Sequence, residues 1–201
     1  IDTGMGLERL ACVMQGVDNM FEVDTIQNII KSVSDRAGVA YKANAKADVS
    51  LRIIADHARA SAFLIADGVM PSNEGRGYVL RRLMRRACRH GRILGIRGVF
   101  LSDVMAVVAK ENATAYPELT EKLDYVQKIV RIEEERFNAT VESGMNLLDA
   151  LMAEAKANGK TELGGADVFK LSDTYGFPLD LTREIAEENG LGIDEKGFEE
   201  N

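Results

Sequence analysis

Between Gly75 and Ser102 the chain carries eight arginines: Arg76, Arg81, Arg82, Arg85, Arg86, Arg89, Arg92 and Arg97. No Asp, Glu or Lys falls in that window. Guanidinium groups so dense along one segment repel one another unless anions or acidic side chains sit between them. Phosphate matches the planar two-point fork of arginine, so the residue type points to a phosphate-backbone partner. Aromatic residues near the band are few, Tyr78 and then Phe100, so single-strand base stacking is not expected. A structured RNA or a duplex backbone fits better. The alternative is a solvated face paired to acidic patches elsewhere, for which Glu133, Glu134 and Glu135 are available.

Three turn-like stretches could add chemistry. Pro71-Ser72-Asn73-Glu74-Gly75-Arg76-Gly77 leads into the arginine segment. Its Asn73 offers both a donor and an acceptor, enough to read a base edge while the helix holds phosphates. The plainer reading is a helix-entry loop. Asp173-Thr174-Tyr175-Gly176-Phe177-Pro178 forms the second. There Asp173 either caps, makes an Asx-turn or contacts a ligand, and Tyr175 and Phe177 pack. The opening Asp2-Thr3-Gly4-Met5-Gly6-Leu7-Glu8-Arg9 puts glycines at a strand-to-helix junction and an arginine on the first helical turn. Such a helix start attracts anions, and Arg9 supplies a fork for a terminal phosphate.

The elements that must position these residues read as all-α. Three prolines, Pro71, Pro117 and Pro178, mark boundaries. Apolar periodicity predicts helices over 7–15, closed by Gly16, and over 24–37, capped by Asp24 or Thr25. Residues 41–48 read as a loop, followed by a helix capped at Ser50 and running to Gly68. Further helices are expected over 78–90 and 101–112. One long helix is expected over about 119–157, with Leu119, Leu123, Val126, Val130, Phe137, Val141, Leu148 and Leu151 on its stripe and Glu133 and Glu134 interrupting it. Shorter helices over 166–172 and 180–189 complete the chain, with a strand or loop remnant at 1–3. The final Phe198-Glu199-Glu200-Asn201 reads as the start of a continuing acidic helix.

Composition bounds the class. The chain has 201 residues, 46% apolar and 28% charged, the ordinary globular balance, which excludes disordered, collagenous and membrane-embedded classes. No run of about 18 apolar residues occurs, so no membrane partner is expected. Cys12 and Cys88 suit a reducing, cytoplasmic compartment. His57 and His90 are too isolated for a metal site, and His57 reads as part of an ion-pair cluster with Arg52, Asp56 and Arg59. The net charge of -7 argues against nucleic acid when averaged, but the arginine band alone carries +8 and leaves -15 for the remainder.

Taken together, the motifs resemble one family. The stretch 2–9 is similar to motif 3 of class II aminoacyl-tRNA synthetases. The stretches Arg52-Ile53-Ile54-Ala55-Asp56-His57-Ala58-Arg59, Ser72 to Arg82 and Asp173 to Pro178 resemble alanyl-tRNA synthetase in particular. The resemblance covers essentially the whole chain in order. It implies that residues 1–16 end the catalytic domain and that 17–201 form a helical domain for the tRNA acceptor stem. It implies that Arg9 holds the phosphates of ATP, that Asp2 lies by the amino group of alanine, and that Gly4 lines the same pocket. Asn73 and Asp173 correspond to the amide and carboxylate that read the G·U wobble pair. Arg76, Arg81, Arg82, Arg85, Arg86 and Arg89 are expected beside the stem's backbone.

ATP and Mg are the cofactors the resemblance implies for the parent enzyme, an alanine–tRNA ligase whose partners are tRNA(Ala), alanine and ATP. Motifs 1 and 2, and the zinc of the family's editing domain, lie outside these residues, and no metal is expected in this chain. The 201-residue chain is therefore expected to support no ATP–pyrophosphate exchange; exchange above background by the purified chain would refute this. The competing readings are a non-enzymatic helical RNA-binding module and a protein scaffold whose arginine face meets an acidic partner.

Overall fold

In a computed structural model, residues 2–200 are described, and they are almost entirely helical. Of the strand or loop remnant expected at 1–3, Asp2 and Thr3 have no regular structure, and Ile1 lies outside the described residues. The chain divides into two compact units, 1–134 and 135–201, with the cut inside one long helix.

The first unit contains α1 (Leu7–Gln15), a single 3-10 turn (Met20–Glu22), α2 (Asp24–Ala37), α3 (Ala45–Ala66), α4 (Gly75–Ile93), α5 (Leu101–Asn112), α6 (Pro117–Glu121) and the start of α7 (Leu123–Ala157). Its core is built by Ile29, Ile30 and Val33 of α2, Leu51, Ile54 and Ile65 of α3, Leu80 and Met84 of α4, Leu101, Met105 and Val108 of α5, and Val126 and Val130 of α7. Small buried residues on α3, namely Ala55, Ala58, Ser61 and Ala62, let α4 lie close against it.

Several boundaries differ from the sequence reading, each for a local reason. Helix α3 starts at Ala45, inside the expected loop, because the Asn44 side chain accepts from the Ala47 amide at 2.8 Å. Ser50 is then a buried mid-helix residue, 3.0 Å from Nδ1 of His90, rather than a cap. Helix α2 begins at Asp24 with Val23 at the cap position and no side-chain cap. The long helix is broken at Lys122, which separates the short Pro-initiated α6 from α7.

Two acids that interrupt the apolar stripe of α7 are buried, at 2% exposure each. Glu134 accepts from the amides of Phe100 (2.9 Å) and Leu101 (3.1 Å), closing the N-terminus of α5. Burial pushes the Glu134 carboxyl up from the usual range, opposed by those backbone donors.

The second unit comprises the remainder of α7, β1 (Glu162–Leu163), α8 (Gly165–Tyr175), α9 (Leu179–Glu188), β2 (Gly192–Ile193) and α10 (Glu195–Glu199). The two strands pair in parallel, Glu162 opposite Gly192 and Leu163 opposite Ile193. Two residues per strand are too few for a period-two pattern to show in sequence. Phe137, Val141, Leu148, Val168, Leu171, Phe177, Leu181 and Ile185 fill this core. Gly144 of α7 is required by packing: a Cβ there would overlap the ring of Phe177, whose centroid lies 5.9 Å from that of Phe137. Among the described residues no helix is long and apolar enough to cross a membrane.

Candidate nucleic-acid interface

The arginine helix α4 begins three residues earlier than the periodicity indicates, at Gly75, so Arg76 and Gly77 belong to its first turn. One side, formed by Leu80, Met84, Ala87 and Cys88, is buried in the core. The other side is not a uniform outer face. Arg76, Arg82 and Arg97 are exposed, and Arg81, Arg86 and Arg92 are intermediate. Arg85 and Arg89 are only 8% and 7% exposed. The expectation that all of 81, 82, 85, 86 and 89 face a phosphate backbone is therefore corrected for the interior pair.

For Arg85 the physical cause is Glu133, brought in by α7 from 48 residues beyond it. Its Oε1 accepts from Nε of Arg85 at 2.9 Å and from Nη2 at 2.7 Å. The same oxygen lies 3.1 Å from Nε of Arg81, close enough for an ion pair but without hydrogen-bond alignment. Buried guanidinium groups persist only when paired in this way. The acidic counterpart that a solvated or protein-facing arginine side would need is thus partly supplied within the chain.

Arg81 also reaches the loop. Its Nη1 donates to Oδ1 of Asn73. The loop is closed on itself by the Ser72 hydroxyl, which donates to the Glu74 carbonyl at 2.7 Å. It returns tightly over Gly77, where a Cβ would overlap the Met70 carbonyl oxygen and the Ser72 hydroxyl. Asn73 itself is exposed.

Arg86 is placed by a second relay. Its Nη1 lies 3.2 Å from Nε2 of His57, and Nδ1 of His57 lies 2.9 Å from Oδ2 of Asp56. A guanidinium only donates, so Nε2 must accept, and the proton sits on Nδ1 and is donated to Asp56. That hydrogen bond holds the Asp56 carboxyl below the usual carboxylate range. His57 is part of a polar cluster, as expected, but with Asp56 and Arg86. Arg52 instead donates to the Tyr41 hydroxyl at 2.8 Å and lies over the rings of Phe21 and Tyr41, and Arg59 pairs with Glu8.

The remaining expected site residues are placed as follows. Asp173 is not in a turn: it lies exposed on the last turn of α8, which extends to Tyr175 and ends at Gly176. Asn73 belongs to the first unit and Asp173 to the second. Asp2, Gly4 and Arg9 are all exposed, the first two before α1 and Arg9 on its first turn. Helix α1 has no buried residue, and Leu7, Leu10, Val13 and Met14 are exposed along it. Among the described residues no group of three or more His, Cys, Asp or Glu is placed to hold a metal ion.

The sequence profile described as tRNA synthetases class II (A) matches residues 1–201. The chain belongs to this family, the class II alanyl-tRNA synthetases. An Alanine--tRNA ligase of Acetivibrio thermocellus is 57% identical over 200 residues, covering 100% of this chain and 23% of that protein. One from Clostridioides difficile is 56% identical with the same coverage. A third, from a Thermoanaerobacter species, is 54% identical over 98% of this chain. The chain thus spans about a quarter of the length of the curated relatives it matches. Within this synthetase chain, Glu133 is available in the sequence as an acidic partner and His57 as a cluster member with Asp56, but their pairing with Arg85 and with Arg86 is not. The signal for the residues themselves is present: two acids interrupt an apolar helical stripe, and an acid stands next to a histidine on a helix facing arginines.

Proposed function

We propose that this chain serves an alanine–tRNA ligase, which joins alanine to tRNA(Ala) at the expense of ATP, and that its own part is recognition of the acceptor stem and its G·U wobble pair. The observation that carries this is the 57% identity to an Alanine--tRNA ligase along the full chain. The geometry supports it, because an exposed amide at Asn73 stands beside a helix whose exposed arginines suit phosphate. In this reading Asn73 and Asp173 contact bases, and Arg76, Arg82 and Arg86 contact phosphates. Arg81, Arg85 and Arg89 hold the scaffold.

Residues 1–16 would close the catalytic domain, and 17–201 would form the recognition part. The exposed apolar side of α1 suits packing against protein outside this chain. Arg9 fits a phosphate-holding role, being exposed on a first helical turn behind Gly4 and Gly6, where the backbone is open to a ligand. Asp2 and Gly4 would border the alanine amino group. When bound, ATP with Mg supplies the leaving group that activates the alanine carboxylate.

Arg82 provides the test. Arg82→Ala is expected to weaken binding to wobble and Watson–Crick acceptor minihelices equally, and to lower the slope of log K against log salt by about one unit. Filter binding at several salt concentrations reads both quantities. An unchanged slope would remove Arg82 from the phosphate contacts, and a wild-type chain that binds neither minihelix would refute RNA recognition.

A further inference from the structure

Helix α1 turns two different sides to its surroundings. Leu7, Leu10 and Met14, at three- and four-residue steps, are apolar and exposed. Glu8, Ala11 and Cys12 lie on the other side and are partly covered, and Gln15 follows them at the same spacing. No side chain of α1 is buried. What joins it to the rest of the first unit is a polar tie near each end. Gln15 donates to Oδ1 of Asp24 at 2.9 Å and accepts from the Asp24 backbone N–H at 3.1 Å, at the start of α2. Glu8 pairs with Arg59 of α3, their side chains 19% and 31% exposed. Burial alone would raise the Glu8 carboxyl, but its own backbone amide and Arg59 outweigh this and hold it below the usual range.

Arg59 does not act on Glu8 alone. The Asp56 carboxyl, held low chiefly by its bond from His57, is lowered further by the charge of Arg59. His57 in turn accepts from Arg86 of α4. Glu8, Arg59, Asp56, His57 and Arg86 thus form one polar line from α1 across α3 to the arginine helix. Arg9 stands next to Glu8, at the α1 end of that line.

We propose that Arg59 is a positioning residue for transfer of alanine to RNA, because its tie to Glu8 sets where the Arg9 helix stands relative to α3 and α4. This rests on the reading that α1 closes an ATP-binding domain and that the arginine helix meets an acceptor stem. In the transfer step a terminal ribose hydroxyl of the RNA attacks the carbonyl carbon of alanyl-adenylate. An ester bond forms, the acyl–phosphate bond breaks, AMP leaves with the bonding pair, and the hydroxyl proton passes to solvent. The two reactants are held by different parts of the enzyme, and a misplacement of about 1 Å slows such a step. Adenylate formation needs no RNA, and stem binding needs no adenylate. Transfer alone needs both in register, so transfer alone depends on the tie. A pair this exposed adds little stability, so Arg59→Ala is expected to fold.

The experiment uses the full-length ligase that contains this chain. It reads ATP–pyrophosphate exchange, affinity for an acceptor minihelix, and the single-turnover rate of alanyl transfer from preformed adenylate. In Arg59→Ala the transfer rate is expected to fall about fivefold, with exchange and affinity within about twofold of wild type. Arg59→Lys keeps the charge and is expected to recover part of the transfer rate. Glu8→Ala is expected to match Arg59→Ala, and the double variant to be no slower than either. Transfer within about twofold of wild type in Arg59→Ala would overturn the proposal. So would exchange or affinity falling as far as transfer, because Arg59 would then serve one site or the fold. Independent effects of Glu8→Ala and Arg59→Ala would overturn the tie. A wild-type ligase that alanylates no acceptor minihelix would instead refute the reading on which the proposal rests.

Discussion

Glu133→Ala is expected to destabilise the first unit by about 3–5 kcal/mol, the cost of removing one partner of a buried ion pair. The carboxylate is 2% exposed and is shared by Arg81 and Arg85, whose side chains are 18% and 10% exposed. Removing it leaves two poorly solvated cations facing each other, and their repulsion adds to the lost hydrogen bonds. The cost belongs to two guanidinium groups that lose their shared buried carboxylate and is not the net worth of the pairing. Glu133→Gln keeps an accepting oxygen and is expected to fall between wild type and Ala. Urea denaturation followed by far-ultraviolet dichroism measures the series. A loss below about 1 kcal/mol for Glu133→Ala would mean that water already reaches the pair, as for exposed ion pairs.

Gly77→Ala provides the second large effect, and its sign is the informative part. In a helix, Gly→Ala ordinarily stabilises by up to about 1 kcal/mol. Here the added methyl would overlap the carbonyl oxygen of Met70 and the hydroxyl of Ser72, and would sit 2.9 Å from Ser72 Cβ. A backbone carbonyl cannot swing aside without lifting the loop from α4. The expected result is a destabilisation of about 1–3 kcal/mol, the range for overpacking a close contact. Displacing the loop also moves Asn73 away from Arg81, so in the proposed reading the wobble preference falls in the same variant. Thermal melts and paired minihelix titrations read the two effects. A stabilised Gly77→Ala variant would show that the loop does not lie against the helix as described.

The two effects bear on one site from opposite sides. Glu133 holds Arg81 from within the core, and Gly77 lets the loop approach from the surface. Between them Asn73 is placed without a rigid element of its own. The base contact proposed for Asn73 needs such support, because an error of about 1 Å in a hydrogen-bonding group forfeits much of its selectivity.

Much of the helical framework was legible from residue spacing. Helix α5 runs over the residues its periodicity marks, from Leu101 to Asn112, and α1 ends at Gly16, which takes the left-handed conformation. The errors fall where a side chain, not a pattern, decides the boundary. Asn44 extends α3 backwards through a stretch of Ala and Lys with little apolar signal. Lys122 breaks the helix that the apolar stripe predicts to run on from Leu119. The parallel pairing of Glu162–Leu163 with Gly192–Ile193 joins segments separated by two helices, a non-local contact with no local sequence signature.

The site divides in the same way. The sequence by itself determined the family, the concentration of arginine in one helix, and the presence of an amide in the loop before it, because residue types and their order are local facts. Tertiary structure decided which arginines face outward. Helical periodicity separates an apolar side from a charged side, but it cannot say that α7 will lay a carboxylate over the charged side and hold Arg85 in the interior. It likewise decided which end of Asn73 is free. That outcome depends on a donor eight residues away meeting an acceptor in the loop, held there by a carboxylate from another helix. Burial and hydrogen-bond polarity are properties of neighbours in space, and those neighbours are set only when the helices pack.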